Sequence, residues 1–446
     1  MAASLGRNGR ALGGIARLRY AGLTMNPGQR RFQAPRGTSD VLPEEEPYWR
    51  FVREVGERVC HAHGYRRIET PMFEQAEVFL RGAGEGSDIV EKEVYIFEDR
   101  GGDKMALRPE GTANVCRAYL EHGMQALPQP VRLFYLSPVF RYDRPQAGRY
   151  RQHTQLGVEA IGDGSALIDA EVIDLLSSVY DGVGLSNISL SVNSIGDAEC
   201  RPGYVETLRA YYSDKLDAVC ADCRVRYEKA PLRLLDCKEE RCQVIAADAP
   251  LISDHLCAAC EEHFAALQSH LTALDIEFEV SPRLVRGLDY YNRTVFEFQP
   301  PEEGAQSTVG GGGRYDGLIE LLGGKPTPGT GFGTGFERII LNLKRQDVDV
   351  PEVGGVRVYV AHASEASQEA AIKLARELRR ADVTTVVGGS GRSLKAQLRH
   401  AGGLEATYAA IIGDRELAND EVTLRSMADG EQRQVPRSDV LRSVGD

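Results

Sequence analysis

Residues 329–338 read Gly-Thr-Gly-Phe-Gly-Thr-Gly-Phe-Glu-Arg, with glycine at every second position and Thr330, Phe332, Thr334 and Phe336 between them. Successive side chains of a strand point to opposite faces, so as a strand this segment has one face of bare backbone and one that packs. Glycine inside a strand costs stability and implies close approach of something else. A flat ring lying on the sheet is the chemistry that this spacing suits. Glu337 and Arg338 then open the apolar run Ile339-Ile340-Leu341-Asn342-Leu343, which reads as a helix. A cation in a first helical turn opposes the helix dipole by ~0.3–1 kcal/mol, so Arg338 points to an anion nearby. Ring plus anion suggests a nucleotide, the alternative being an ordinary glycine-rich turn, which period-two spacing over four glycines does not resemble. The glycines neither open a helix after a strand nor precede Lys-Ser/Thr, which excludes dinucleotide and P-loop cradles.

Further chemistry lies upstream. Arg141, Arg144, Arg149 and Arg151 surround Asp143 and Gln146 between two strand-like segments of an acidic chain. The rigid fork of arginine suits phosphate, so this loop reads as a nucleotide or RNA contact. In Gln155-Leu156-Gly157-Val158-Glu159 the odd positions put Gln, Gly and Glu on one face, either a polar pocket floor or the wet side of a half-exposed strand. Arg108-Pro109-Glu110-Gly111-Thr112 reads as a strand end turning into a helix, where Glu110 and Thr112 grip an ammonium group or Thr112 caps. Arg286 precedes paired Tyr290 and Tyr291, and Gly310–Gly313 before Arg314-Tyr315-Asp316 reads as flexible backbone. Together these place Arg141, Arg286 and Arg338 around a nucleotide, and Glu110 and Glu159 beside a cationic substrate. No nucleophile–base pair is present. A carboxylate attacking an α-phosphate needs none; it needs alignment and charge neutralisation.

The elements that must hold these residues follow from periodicity. Helical spacing marks 44–64 and 166–180, and strand patterning marks 66–69, 94–97, 105–108, 131–142, 155–161, 293–298 and the glycine ladder. The stretch at about 200–274 breaks this pattern and reads as an insertion. After Pro351-Glu352-Val353-Gly354-Gly355, strands (356–360, 383–387, 408–412) alternate with helices (365–380, 393–400), as in a small α/β domain. On the second of those helices Arg392, Lys395 and Arg399 gather on one face.

At 446 residues the chain is too long for one core. No apolar run approaches the ~20 residues of a membrane span. A net charge of −12 excludes a protein basic overall but not a local nucleic-acid footprint. Residues 1–24 hold Arg7, Arg10, Arg17 and Arg19 and no acid. They suit an organellar targeting segment, but the want of an amphipathic face favours a disordered tail or a start at Met25, hence a cytoplasmic protein. Six of nine cysteines crowd between Cys220 and Cys260. Cys220 and Cys223 with Cys257 and Cys260 form two Cys-x-x-Cys pairs, either ligands of one structural zinc or buried free thiols.

Taken together these motifs resemble the histidyl-tRNA synthetases of the class II aminoacyl-tRNA synthetase family, from about Phe32 onward. Glu69-Thr70-Pro71 is similar to motif 1, a dimer-interface element; Phe140-Arg141 through Glu159 to motif 2; and Gly329–Arg338 to motif 3. Leu284–Tyr291 and Gly311–Asp316 are similar to the histidine-specific signatures. The resemblance implies an α+β protein, divided into a tail (1–31), an antiparallel-sheet catalytic domain (32–350) with a mainly helical insertion (about 200–274), and an α/β anticodon-binding domain (355–446). It implies a homodimeric histidine–tRNA ligase using L-histidine, ATP with Mg²⁺ and tRNA(His). Arg141 and Arg338 would hold ATP phosphates over Gly333 and Gly335, and Arg286 the α-phosphate. Glu110, Thr112 and Gln155 would bind the amino group of histidine, and Glu159 and Tyr291, with Tyr290 nearby, its imidazole. Arg144 and Gln146, together with Arg392, Lys395 and Arg399, would contact tRNA. The pattern leads one to expect an aromatic at position 153, where the chain has His153. The non-catalytic regulatory paralogue of ATP phosphoribosyltransferase is the rival, and it is expected to lack the C-terminal module.

Overall fold

A computed structural model describes residues 32–83, 93–143, 148–301 and 308–445. The expected tail at 1–31 and the tRNA contacts Arg144 and Gln146 lie outside the described residues. The chain begins with α1 (Glu46–Ala62), β1 (Arg66–Arg67), β2 (Phe73–Gln75), α2 (Ala76–Ala83), β3 (Tyr95–Glu98), β4 (Lys104–Leu107) and α3 (Thr112–Glu121). A long hairpin follows, β5 (Val131–Phe140) and β6 (Gln152–Ile161), then α4 (Ala166–Gly182) and β7 (Ser189–Ser194). The stretch after β7 is helical: α5 (Arg201–Tyr212), α6 (Ala221–Lys229), α7 (Glu240–Ala247) and α8 (Ala258–Ala273). The sheet resumes with β8 (Glu279–Val280), β9 (Asn292–Gln299), β10 (Gly310–Arg314), a short α9 (Leu318–Leu321), β11 (Gly329–Gly335) and α10 (Phe336–Arg345).

Eight strands form one sheet in the order β1-β5-β6-β11-β10-β9-β7-β8, antiparallel except at its two edges, where β1 runs parallel to β5 and β8 to β7. Alternation along β5, β6, β9 and β11 sorts the two faces. Phe134, Leu156, Val158, Phe296 and Phe332 point into a core shared with α1, α4 and α10. Helix α4 lies between the sheet, α1 and α8, which is why apolar residues surround it rather than forming one stripe. The opposite face carries Gln155, Gly157 and Glu159 on β6, and this is where the candidate site lies.

Gly310–Gly313 is not flexible backbone. It forms the buried strand β10, paired on both sides, with Gly313 at φ +157°. Arg314 at its end is fully buried against Asp169 (2.6 Å) in the first turn of α4, and Asp169 also meets His263 (2.8 Å) and Thr294 (2.7 Å). This network ties β10, α4, α8 and β9 together.

The C-terminal module contains β12 (Val358–His362), α11 (Gln368–Arg380), β13 (Thr385–Val387), α12 (Leu394–Gly403), β14 (Tyr408–Ile412), α13 (Asp414–Asn419), β15 (Glu421–Ser426), β16 (Gln432–Pro436) and α14 (Val440–Val444). Strands β13, β12 and β14 are parallel as strand–helix alternation requires, but β15 and β16 extend the sheet as an antiparallel hairpin. That hairpin is not apparent from the sequence, because only Val422, Leu424 and Val435 reach the core and its other side chains are largely polar.

Candidate active site

Strand β6 supplies the floor. Its register sets Gln155 beside Ser137, Gly157 beside Tyr135 and Glu159 beside Leu133 on β5, with Gly335, Gly333 and Gly331 of β11 on the other side. A Cβ on Gly331 would overlap the Glu159 carboxylate, one on Gly333 the Gln155 amide, and one on Gly329 the Tyr315 ring. The ladder therefore first makes room for the chain's own side chains, which lie across the glycines. Only Gly333 and Gly335 reach the open cleft, and at Gly335 nothing stands closer than 4.0 Å to an added Cβ. The flat-ligand expectation narrows to that end of the strand.

The cleft is lined by Arg141, Arg149, Arg286, Arg338, His153, Gln155 and Glu337, above Gly310, Gly311, Gly333 and Gly335. Each key cation is held by a fixed partner. Arg141 Nε donates to the Pro109 carbonyl (2.8 Å), Arg338 Nε to that of Gly148 (3.0 Å) and Nη1 to that of Thr308, while Arg286 Nη1 pairs with Glu297. Burial, then Arg149 and Arg141 close by, lower the Arg338 guanidinium from its ordinary range. Burial, with Arg141 and Arg338 adding to it, pushes His153 down to about 3, so its ring is neutral. Cations crowded this way favour a polyanion. Three buried atoms of the lining, Gln155 Oε1, Arg286 Nε and Glu337 Oε2, have no partner among the described residues. A buried unpaired polar atom costs ~1–3 kcal/mol, so these are positions for a ligand to satisfy.

Behind the cleft sits a closed polar cluster. Glu159 is 0% exposed and accepts hydrogen bonds from Thr112 Oγ1 (2.7 Å), Tyr315 Oη (2.5 Å) and Tyr135 Oη (3.4 Å). Burial is the main force raising its carboxyl to about 8, with Glu110 adding repulsion and the hydroxyl donors opposing it. Glu110 accepts the backbone N–H groups of Thr112 (2.5 Å) and Ala113 (2.9 Å), and so satisfies the start of α3. Tyr290 packs on Tyr291 at 4.8 Å and on Tyr315 at 6.0 Å, and the Arg286 guanidinium lies 5.9 Å from the Tyr291 ring. Cations for phosphate thus stand beside a buried carboxylate and stacked phenols for a small cationic ring.

Comparison with known proteins places this arrangement. The histidyl-tRNA synthetase family model matches residues 37–339, and an anticodon binding domain model matches residues 357–445. The chain belongs to the histidyl-tRNA synthetase family. The histidine–tRNA ligase of Dehalococcoides mccartyi is 54% identical over 413 residues, covering 93% of this chain and 99% of that one. That of Desulforamulus reducens is 48% identical over 401 residues, covering 90% and 96%. The apo histidyl-tRNA synthetase of Staphylococcus aureus superposes with a TM-score of 0.78 at 33% identity, covering 93% of this chain and all of that one. The class II architecture, an antiparallel catalytic sheet followed by an anticodon-binding module, is therefore the fold of this chain.

Against that family frame, Arg141, Arg286, Arg338, Gln155, Gly333 and Gly335 share one cleft, and Glu110, Thr112, Glu159 and Tyr290 share the cluster behind it. Tyr315, Tyr135, His153, Glu297 and Glu337 also belong to the site, and their spacing in the sequence gives them no role. Tyr315 lies inside the Gly311–Asp316 signature, which is a local signal for it; Tyr135 is an aromatic in an apolar strand, and only its register against Gly157 reveals it. Arg392, Lys395 and Arg399 are exposed at the start of α12 and along it, which Ser393 caps.

The zinc expectation is corrected. Cys220 and Cys223 do not meet Cys257 and Cys260. They group with Cys237 and Cys242, all four buried with their sulfurs within 4.8 Å of one another, and Cys257 and Cys260 group with Cys200 and Asp197. The turn after α6 carries Cys237 back to the first pair before α8 begins, so chain order misled the pairing.

Proposed function

We propose that the cleft and its neighbouring cluster divide the histidine–tRNA ligase reaction between them. The reaction activates histidine to histidyl-adenylate, releasing diphosphate, and then transfers histidine to the 3′ end of tRNA(His), releasing AMP. Arg141 and Arg338 hold the ATP phosphates, with the purine over Gly333 and Gly335. Arg286 faces the α-phosphate, where charge develops as the histidine carboxylate attacks. Mg²⁺ arrives with ATP as part of the substrate. Glu110, Thr112 and Gln155 receive the amino group, and Glu159 and Tyr291, with Tyr290 nearby, the imidazole. The observation that carries this reading is the row of fixed arginines over a glycine floor with unpaired buried atoms, one layer from a buried carboxylate.

The division into catalytic residues 32–350, an insertion at about 200–274 and an anticodon reader at 355–446 belongs to the same reading, with Arg392, Lys395 and Arg399 on the tRNA backbone. So do the cytoplasmic homodimer and one structural zinc on Cys220, Cys223, Cys237 and Cys242. The Cys220 and Cys237 sulfurs stand 3.7 Å apart, close to the ~3.8 Å edge of a tetrahedron with ~2.3 Å Zn–S bonds. Cys237→Ser should lower the melting temperature and remove that zinc.

Histidine-dependent ATP–pyrophosphate exchange tests the catalytic reading. Exchange that proceeds in wild type and falls steeply in Arg286→Ala supports it, and exchange that persists at the wild-type rate in Arg286→Ala would overturn the role given to that residue.

A further inference from the structure

The helical stretch between β7 and α8 leaves and rejoins the catalytic body at one spot. At the exit are Asp197 and Cys200, the latter at the start of α5; at the return are Cys257 and Cys260, at the start of α8. The four ligand-capable atoms lie within 4.8 Å of one another. Cys200 Sγ is 3.8 Å from Cys260 Sγ, and Asp197 Oδ1 is 3.7 Å from Cys200 Sγ and 3.9 Å from Cys257 Sγ. A tetrahedral ion with bonds of ~2.3 Å to sulfur and ~2.0 Å to oxygen sets such edges at roughly 3.8 and 3.5 Å. A disulfide would need its sulfurs at ~2.05 Å.

The surroundings are those of a cage. Gly196 holds φ +65°, and a Cβ there would come within 2.8 Å of Cys200 Sγ, so glycine leaves the sulfur its place. Asp197 N donates to that sulfur at 3.4 Å. The second carboxylate oxygen of Asp197 accepts from Arg293 Nη2 (3.1 Å) and Nε (3.2 Å), the outer partner that orients a metal-binding carboxylate. Three thiolates and a carboxylate around a divalent ion leave two negative charges, which Arg201 and Arg293 match. Thiolate-rich tetrahedral donors select zinc.

The cage also touches the substrate side. Arg201, next to Cys200, donates from Nη2 to the Tyr291 carbonyl (2.7 Å) and to that of Gly196 (2.9 Å). Arg293 N donates to Gly196 O (2.7 Å), and Ile195 N to Arg293 O (2.8 Å). The segment 195–201 that would hold the ion is thus the segment that holds the backbone of Tyr291–Arg293.

We propose that Asp197, Cys200, Cys257 and Cys260 bind a zinc ion at the neck of the insertion, separate from the Cys220 group, and that this ion positions the Tyr290–Tyr291 loop for histidine. The positioning half rests on the proposed role of those tyrosines. The residues are positioning residues, not catalytic ones.

The test uses full-length protein purified without chelator. Metal analysis should give about two zinc per chain in wild type and about one in Cys200→Ser, Cys257→Ser or Cys237→Ser. Cobalt(II) exchange should show weaker thiolate-to-metal absorption from the neck site, with its three sulfurs, than from the four-sulfur site. Cys257→Ser, at a half-buried cysteine, should raise KM for histidine in pyrophosphate exchange by about tenfold, as losses around a metal site do, and leave KM for ATP alone. Cys237→Ser should lower the melting temperature without moving either KM. A single wild-type zinc that Cys237→Ser removes and Cys257→Ser leaves would overturn the site, as would a Cys200–Cys260 disulfide found by mass spectrometry of the native protein. An unchanged histidine KM in zinc-depleted Cys257→Ser would overturn the positioning role. If instead Glu159→Gln left histidine KM untouched, the histidine reading would fail while the zinc count still decided the metal site.

Discussion

Arg286 is half-buried, paired with Glu297 and set 5.9 Å from the Tyr291 ring, and Arg338 is tied to two carbonyls; Arg392, Lys395 and Arg399 stand exposed at α12. One set has lost its side-chain freedom during folding, before any ligand arrives. The other stands in solvent. Fixed cations suit charge that develops at one point in a reaction, because nothing need reorganise at that moment. Mobile cations suit a phosphate backbone, where affinity comes from counterion release and tolerates loose geometry. On the proposed reading, the same residue type would serve rate in one module and affinity in the other.

The contrast breaks most visibly at Arg286. Arg286→Ala should cut adenylate formation by on the order of 10²–10³ in kcat while moving histidine KM much less, as removal of a fixed charge-stabilising donor does. Equal losses in both parameters would make Arg286 a substrate clamp instead. Next in size is removal of the whole mobile set. A chain ending near Val350 should keep histidine-dependent pyrophosphate exchange, because every residue proposed to face nucleotide or histidine lies earlier. Its transfer to tRNA should fall by on the order of 10², and its residual tRNA binding should depend less on salt. Charging of tRNA at the parental rate would remove the C-terminal module from tRNA recognition.

Glu159 sharpens the comparison on the buried side. Its folded carboxyl is raised to about 8 against an ordinary value of 4.5, so between those values the native state holds a proton that the unfolded chain has released. Stability contributed by this group is therefore full below about 4.5, falls as pH rises toward 8, and is level above it. Glu159→Gln should remove that slope from melting curves. It should also raise histidine KM by about tenfold if this group hydrogen-bonds the imidazole, since leaving a buried partner unpaired costs ~1–3 kcal/mol. A Michaelis constant equal to wild type would place imidazole recognition elsewhere. The smallest effect belongs to single surface cations. Lys395→Ala or Arg399→Ala should each weaken tRNA binding a few-fold and lower the salt slope by ~1, with pyrophosphate exchange unchanged.

Glu159 also shows where sequence reasoning stopped. Alternation along 155–159 correctly put Gln155, Gly157 and Glu159 on one face, and a polar floor and a wet strand face were both open readings. The alternation could not say that Glu159 is sealed beneath Thr112, Tyr135 and Tyr315, whose sequence distances reach 156 residues. An alanine there would leave those hydroxyls unpaired in a closed space, so Glu159→Ala should destabilise the fold, and glutamine is the informative change.

What the sequence determined by itself is what short-range spacing encodes: strand period along β6 and β11, helix period along α1 and α4, the strand–helix alternation that opens the C-terminal module, and the family signatures built on them. The glycine ladder was legible as a surface of close approach, because period two and the lack of side chains are local facts. Tertiary structure decided who does the approaching, and set Glu159, Gln155 and Tyr315 across three of the four glycines. It likewise turned Gly310–Gly313 from expected slack into a central strand, and sorted six crowded cysteines into two groups of different composition, with Cys200 joining one of them. Spacing along a chain fixes which face a residue takes, but partners come from register between distant strands and from where a helix delivers the chain back.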